Sequence, residues 1–155
     1  MGKAQAFRTR VAEGIINMAY LIDPDNPQYQ LGLPDMDQTH REFIAIVNRC
    51  QGLNKADFMA LFDELFEHTR EHFASEKRLM EESGFPAIRE HDDEHRRVLG
   101  ELDQLRRRMI ERDSTTSART YVELGLPMWF ALHAATMDSA LAAHLKRQSP
   151  VAAEA

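Results

Sequence analysis

The sequence predicts an all-α protein: an up-down-up-down four-helix bundle preceded by an N-terminal arm or short helix. Three observations predict it. Glycine and proline gather at a few points along the chain. Between those points the apolar residues recur at spacings of three and four, the helical period, and no segment reads as a strand. The links between helical stretches are only a few residues long, and links that short join antiparallel neighbours.

Residues 1–29 form the arm, with a weak amphipathic pattern through Phe7, Val11, Ile15 and Met18, followed by the turn-rich DPDNPQYQLGLP. The first bundle helix is expected to open near Pro34-Asp35 and stop at Gly52. The second runs from an Asn54 cap to Gly84, and the third from Pro86 to about Asp113. The fourth starts in Thr115-Thr116-Ser117 and continues to about Arg147. Pro127 falls inside it, which predicts a kink or restart there, with the main segment over 127–147. The helical domain is therefore 30–148, and 149–155 is expected to be a disordered tail.

At 155 residues the chain fits one domain with one core. With 43% hydrophobic and 28% charged residues it has an ordinary globular mix, which excludes disordered and fibrous classes. A net charge of -6 repels a phosphate backbone, and the one tight basic run, Arg106-Arg107-Arg108, reads as a solvated helix face, so nucleic acid is not an expected partner. The lone cysteine, Cys50, excludes an intramolecular disulfide and points to a reducing compartment. No apolar run resembles a secretory leader or reaches membrane-spanning length, so a cytoplasmic protein without membrane insertion is expected.

The histidines carry most of the information. At about 100° per residue, His40 falls within the stripe Leu33, Met36, Ile44 and Val47 of the first helix. His72 and Glu76 lie at the centre of the second stripe, among Phe58, Leu61, Phe62, Leu65, Leu79 and Met80. His91 and His95 share a face with Val98, Leu102, Leu105 and Met109. His133 lies between Leu126, Trp129, Met137 and Ala140. One core histidine is ordinary. Five imidazoles and a carboxylate in one core need partners, because each unpaired buried group costs about 1–3 kcal/mol, and metal ions supply those partners. The i,i+4 pairs His72/Glu76 and His91/His95 place two ligands one turn apart on one face. His68 falls at the edge of its stripe, where a rim hydrogen bond is expected. His144 lies about 16 Å beyond His133 along the helix and is left out of the site.

Four runs, DQTH (Asp37–His40), HFASEKRLM (His72–Met80), HDDEH (His91–His95) and WFALHAATMD (Trp129–Asp138), resemble the hemerythrin family, in particular its bacterial single-domain members. The resemblance spans about residues 30–147, in the family's order. It implies a non-haem di-iron centre that binds O2 reversibly, with two iron ions (Fe2+/Fe3+) and a bridging oxo or hydroxo group. On that resemblance His91, His95 and His133 hold one iron, His40 and His72 the other, and Glu76 and Asp138 bridge the two. Five imidazoles, two bridging carboxylates and one bridging oxygen leave one position open on two six-coordinate ions, on the ion with two histidines. The nitrogen-rich shell suits iron and disfavours Mg and Ca. Phe73, Trp129, Phe130 and Ala134 are candidates for the wall of an apolar O2 pocket.

The expected role is oxygen carriage, storage or delivery, without transformation of a substrate. The expected partners are O2 and an oxygenase or redox protein, and the expected state is a monomer. Two other classes stand beside it: an O2, NO or redox sensor, and a di-iron oxidase or peroxidase-type enzyme. The ferritin-like oxidases need Glu-x-x-His on two helices, and this chain has none. Two positions are irregular. Asp138 lies five residues after His133, about 140° away on an ideal helix, so the resemblance and not the periodicity puts it in the site; a widened turn around 134–137, or a sideways reach, is required. Ala134 stands where the family commonly carries Ile or Leu, which leaves a cavity unless Phe130 fills it.

Overall fold

The structure, a computed structural model, describes residues 8–11, 14–17 and 19–149. Four antiparallel helical rods form the bundle. The first three are α1 (Pro34–Arg49), α2 (Lys55–Ser83) and α3 (Ile88–Arg112). The C-terminal rod runs on without a break through α4 (Thr116–Thr120), a π-helical segment Tyr121–Gly125, α5 (Leu126–His133), a second π-helical segment Ala134–Asp138, and α6 (Ser139–Gln148).

Local chemistry sets the boundaries. Pro34 opens α1, where its missing N–H costs nothing. The Asn54 side chain caps α2 by accepting from the Asp57 N–H at 2.9 Å. Gly84, at φ +64°, closes α2 in the left-handed region, and the Phe85 N–H reaches back to the Met80 carbonyl at 2.9 Å. Helix α3 begins at Ile88, two residues later than expected, because Phe85–Ala87 complete this turn.

The reading that no segment is a strand needs correction. Within the N-terminal stretch, β1 (Arg8–Val11) and β2 (Gly14–Asn17) form an antiparallel hairpin that pairs Arg8 with Asn17 and Val11 with Gly14. The spacing of four from Val11 to Ile15 crosses the turn of the hairpin, from one strand to the other, and so marks no single element. Thr9, Val11, Ile15 and Ile16 are β-branched and decide for the strand. Residues 1–7, 12–13 and 18 of the arm, and 150–155 of the expected tail, lie outside the described residues.

Pro127 does not break its rod. The Leu126 N–H bonds the Tyr121 carbonyl, five residues back, so the ladder widens in the turn before the proline instead of kinking at it. The stretch leading into α1 is fastened at several points. Asn48 exchanges two hydrogen bonds with the Ile22 backbone, at 3.0 and 2.8 Å. Asp37 accepts the N–H groups of Leu31 and Gly32 at 2.7 and 3.1 Å, and the Lys146 ammonium donates to the Leu31 carbonyl. Gly32 is required there: its φ is +79°, and a Cβ would come within 2.7 Å of Lys146 Nζ.

Two apolar clusters fill the bundle. The larger holds Phe43, Phe62, Leu65, Val98, Val122 and Phe130; the smaller holds Leu31, Met36, Met80, Phe85 and Leu141. Every rod passes from one to the other. On α1 the step is Met36 to Phe43, on α2 Phe73 to Met80, on α3 Ile88 to Val98, and on the last rod Phe130 to Leu141. The chain between those landmarks carries His40, Glu76, His91, His95, His133 and Asp138, so the buried polar residues form one layer between two apolar ones.

Candidate metal centre

Each rod contributes to this layer. His40 comes from α1, His72 and Glu76 from successive turns of α2, His91 and His95 from successive turns of α3, and His133 and Asp138 from the ends of α5 and the second π segment. All seven are buried, His72 being the most exposed at 8%. The five-residue step from His133 to Asp138 is met by the widened turn: the Ser139 N–H bonds the Ala134 carbonyl, five residues earlier, and residues five apart in such a turn lie nearly one above the other. The extra residue also rotates the helix beyond it. Ala140, expected in the core stripe, is exposed, Met137 is half-buried, and Leu141 and Ala142 are buried instead.

The polar atoms converge. Asp138 divides its two oxygens: Oδ1 is 3.1 Å from Nε2 of both His91 and His133, and Oδ2 is 3.0 Å from Nε2 of His40. Glu76 Oε2 lies 3.1 Å from His72 Nε2, 3.3 Å from His95 Nε2 and 4.0 Å from His91 Nε2. The Nε2 atoms of His95 and His133 are 3.0 Å apart. Many of these approaches lack hydrogen-bond geometry. All four carboxylate oxygens, Nε2 of His40 and His91, and Nδ1 of all five histidines have no hydrogen-bond partner.

Bound metal would give the Nε2 and carboxylate orphans their partners. Neighbouring ligands on an octahedral ion with bonds of about 2.1 Å stand about 3.0 Å apart, the separation that recurs here. Two overlapping sets of ligand atoms gather closely: Glu76, His91, His95, His133 and Asp138, each within 4.8 Å of the others, and His40, His72 and Glu76 likewise. The donor set, imidazole nitrogen and carboxylate oxygen, fits a first-row transition metal and not Mg or Ca.

Burial sets the protonation. It pushes the His95 imidazole down to about 2, with His91 and His133 adding to the effect, and it lowers His72 as well. Burial also drives Glu76 well above the usual carboxylate range, helped by Asp138. Burial acts on Asp138 in the same sense, but the imidazoles of His133, His40 and His91 close beside it outweigh this and hold the carboxyl well below the usual range. His72 and His95 are thus neutral, the form that offers a lone pair to a metal.

Aromatic rings orient the imidazoles. Phe73 stacks on His95 with centroids 3.8 Å apart and planes 3° off parallel, and Trp129 stacks on His133 at 4.6 Å and 22°. The Trp129 indole N–H donates to Glu94 at 3.0 Å, and Glu94 is held in turn by Arg97 at 2.6 Å. Phe130 meets His40 edge-on at 5.4 Å, stacks on Phe43 at 5.0 Å and touches Tyr29 at 4.9 Å. Of the four pocket candidates, Phe73 and Trp129 therefore lie against His95 and His133, while Phe130 stands beside His40 and Ala134 is fully buried. Sequence reasoning did not single out Phe43, Tyr29 or Glu94. Phe43 was discoverable, three residues past His40 on the same face; Tyr29 lies in an irregular segment and Glu94 in a charge-rich run, and neither gave a signal. His68 pairs with Glu42 at 3.1 Å on the rim, and His144 meets the Ser83 carbonyl at 2.9 Å, away from the layer.

Comparison with known proteins agrees with the geometry. Residues 31–147 match the family model described as the hemerythrin HHE cation binding domain. A bacteriohemerythrin of Ralstonia nicotianae is 35% identical over 124 residues, covering 80% of this chain and 89% of the relative. Another, of Stenotrophomonas maltophilia, is 29% identical over 134 residues, covering 83% and 84%. One of Pseudomonas aeruginosa is 28% identical over 93 residues, covering 57% and 60%. No solved structure matches. No helix among the described residues is long and apolar enough to cross a membrane. With four rods, a buried layer of imidazoles and carboxylates able to hold metal, and a family match over most of its length, the chain belongs to the hemerythrin family.

Proposed function

We propose that this protein binds O2 reversibly at a pair of iron ions, as a carrier, store or donor of oxygen and not as an enzyme. His91, His95 and His133 would hold one ion, His40 and His72 the other, with Glu76 and Asp138 bridging. The observation that carries this reading is Asp138, whose two oxygens face different histidines, Oδ1 toward His91 and His133 and Oδ2 toward His40. Iron held by these residues would supply the electrons that binding of O2 needs.

The chain's own residues supply the surroundings. Phe43, Phe130 and Tyr29 form an apolar wall beside His40 that excludes water from this side. Phe73 and Trp129 fix the planes of His95 and His133. Buried Cys50, its thiol raised to about 11 by burial, is unreactive at neutral pH. The proposed location is the cytoplasm. On this reading the helical domain spans 30–148.

The test is optical. The iron-loaded, reduced protein is expected to gain a visible band on exposure to O2 and to lose it when O2 is withdrawn, over repeated cycles. Steady consumption of O2 with an added reductant would instead favour the oxidase reading.

A further inference from the structure

We propose that the seam between α1 and α2 is the port through which metal ions reach the centre. The inference rests on the two-ion reading above. A cavity of about 50 Å³ opens in this seam, with Asp35, Thr39 and Ser75 around its mouth and Glu76 and His72 at its floor. Outside it lies a depression of about 430 Å³ that shares Asp35, Met36, Ser75 and Leu79 with it, so the two form a vestibule and an inner chamber.

The lining has the chemistry of a cation path. Asp35 presents an exposed carboxylate in the first turn of α1, and Thr39 and Ser75 offer hydroxyl oxygens below it. At the floor Glu76 is 2% exposed, with neither carboxylate oxygen hydrogen-bonded. The most exposed of the seven candidate ligands, His72, is the other floor residue. The chamber is smaller than a fully hydrated divalent ion, which carries several waters of about 30 Å³ each, so the ion must shed water at the mouth. Oxygens of Asp35, Thr39 and Ser75 can replace that water step by step. The opposite side of His40 is walled by Phe43, Phe130 and Tyr29, which offer an ion no ring of oxygens.

The experiment follows uptake of Co2+ by the metal-free full-length protein in a stopped-flow mixer, and removal of the bound metal by a chelator. Ser75→Leu places an aliphatic side chain over the mouth and is expected to slow both processes about tenfold or more, because a packed port of this size has no slack. The same two ions per chain should be bound at the end. Leu79→Ala, which widens the chamber, should speed both. Asp35→Asn should slow uptake about threefold at low ionic strength, with the difference fading in high salt, as expected of steering by an exposed charge. Uptake by Ser75→Leu and Leu79→Ala at the unmodified rate overturns the port. So does faster uptake in Tyr29→Ala together with an unaltered Ser75→Leu, which would put the route on the aromatic side. Final binding of other than two ions by the unmodified protein overturns the two-ion reading itself, and the port with it.

Discussion

Helix α2 and the C-terminal rod each deliver one imidazole and one carboxylate to the same buried layer, with different backbones. On α2, His72 and Glu76 are four apart on regular α-helix. On the rod, His133 and Asp138 are five apart, and a π-helical turn absorbs the extra residue. The two carboxyls also titrate in opposite directions, Glu76 upward through burial and Asp138 downward through its three histidine partners. Equivalent positions in a layer can thus be reached by a periodic helix or by a locally widened one, and only the first can be read from periodicity.

The sharpest way to test this equivalence is Glu76→Ala. If α2 supplies a ligand shared by both ions, the variant should bind almost no metal, and full metal content by elemental analysis would end the bridging role. Inserting one alanine after Ala135 attacks the rod instead. It adds a residue beyond the one the wide turn accommodates and rotates everything downstream by about 100°. Leu141 would leave the core, at a cost of about 1.5–3 kcal/mol for that side chain alone, and Asp138 would leave the layer. The urea midpoint of the metal-free protein reads the first effect and metal content the second; an unchanged midpoint would mean that the turn absorbs a further residue and does not set the register.

Protonation gives a third comparison. His72 and His95 are lowered in the fold, so the unfolded chain binds protons that the native state refuses. Stability of the metal-free protein should therefore fall as pH drops below about 6.5. Asp138, also lowered, adds a loss of the same sign at the acid end, below the ordinary carboxylate range. Glu76 has the opposite sign: its contribution is lost as pH rises from the ordinary carboxylate range through its raised value, so Glu76→Gln should be less sensitive on that limb. Denaturant titrations from pH 2 to 8 measure all three.

The smallest effect concerns Ala134. Phe130, Phe43 and Tyr29 are already packed beside His40 and Ala134 is fully buried, so Ala134→Leu should overfill the site and cost about 1–3 kcal/mol. The oxygenated spectrum should decay no more slowly than before; a longer lifetime would show that Ala134 leaves a path for water.

The same physics decides how much of this was legible in the sequence. Boundaries of α1, α2 and α3 fall within a few residues of their proline, asparagine and glycine signals, because caps are local chemistry. Faces extrapolated at 100° per residue hold for His40, His72, Glu76, His91 and His95, whose helices are regular. They fail past residue 134, where Ala140 was expected inside and Leu141 is found there, because a π turn leaves no mark in composition. The N-terminal hairpin was missed for a different reason: the spacing of four was read across its turn, from Val11 on one strand to Ile15 on the other.

Trp129, the chain's one tryptophan, lies 4.6 Å from the His133 ring with its N–H tied to Glu94. Every photon of indole emission from this protein therefore originates beside the candidate centre. Iron there would quench it, through absorbing and unpaired d electrons, whereas filled-shell zinc would change it only through the altered field around the ring. The molecule carries its own optical gauge of occupancy, readable at micromolar concentration without a label.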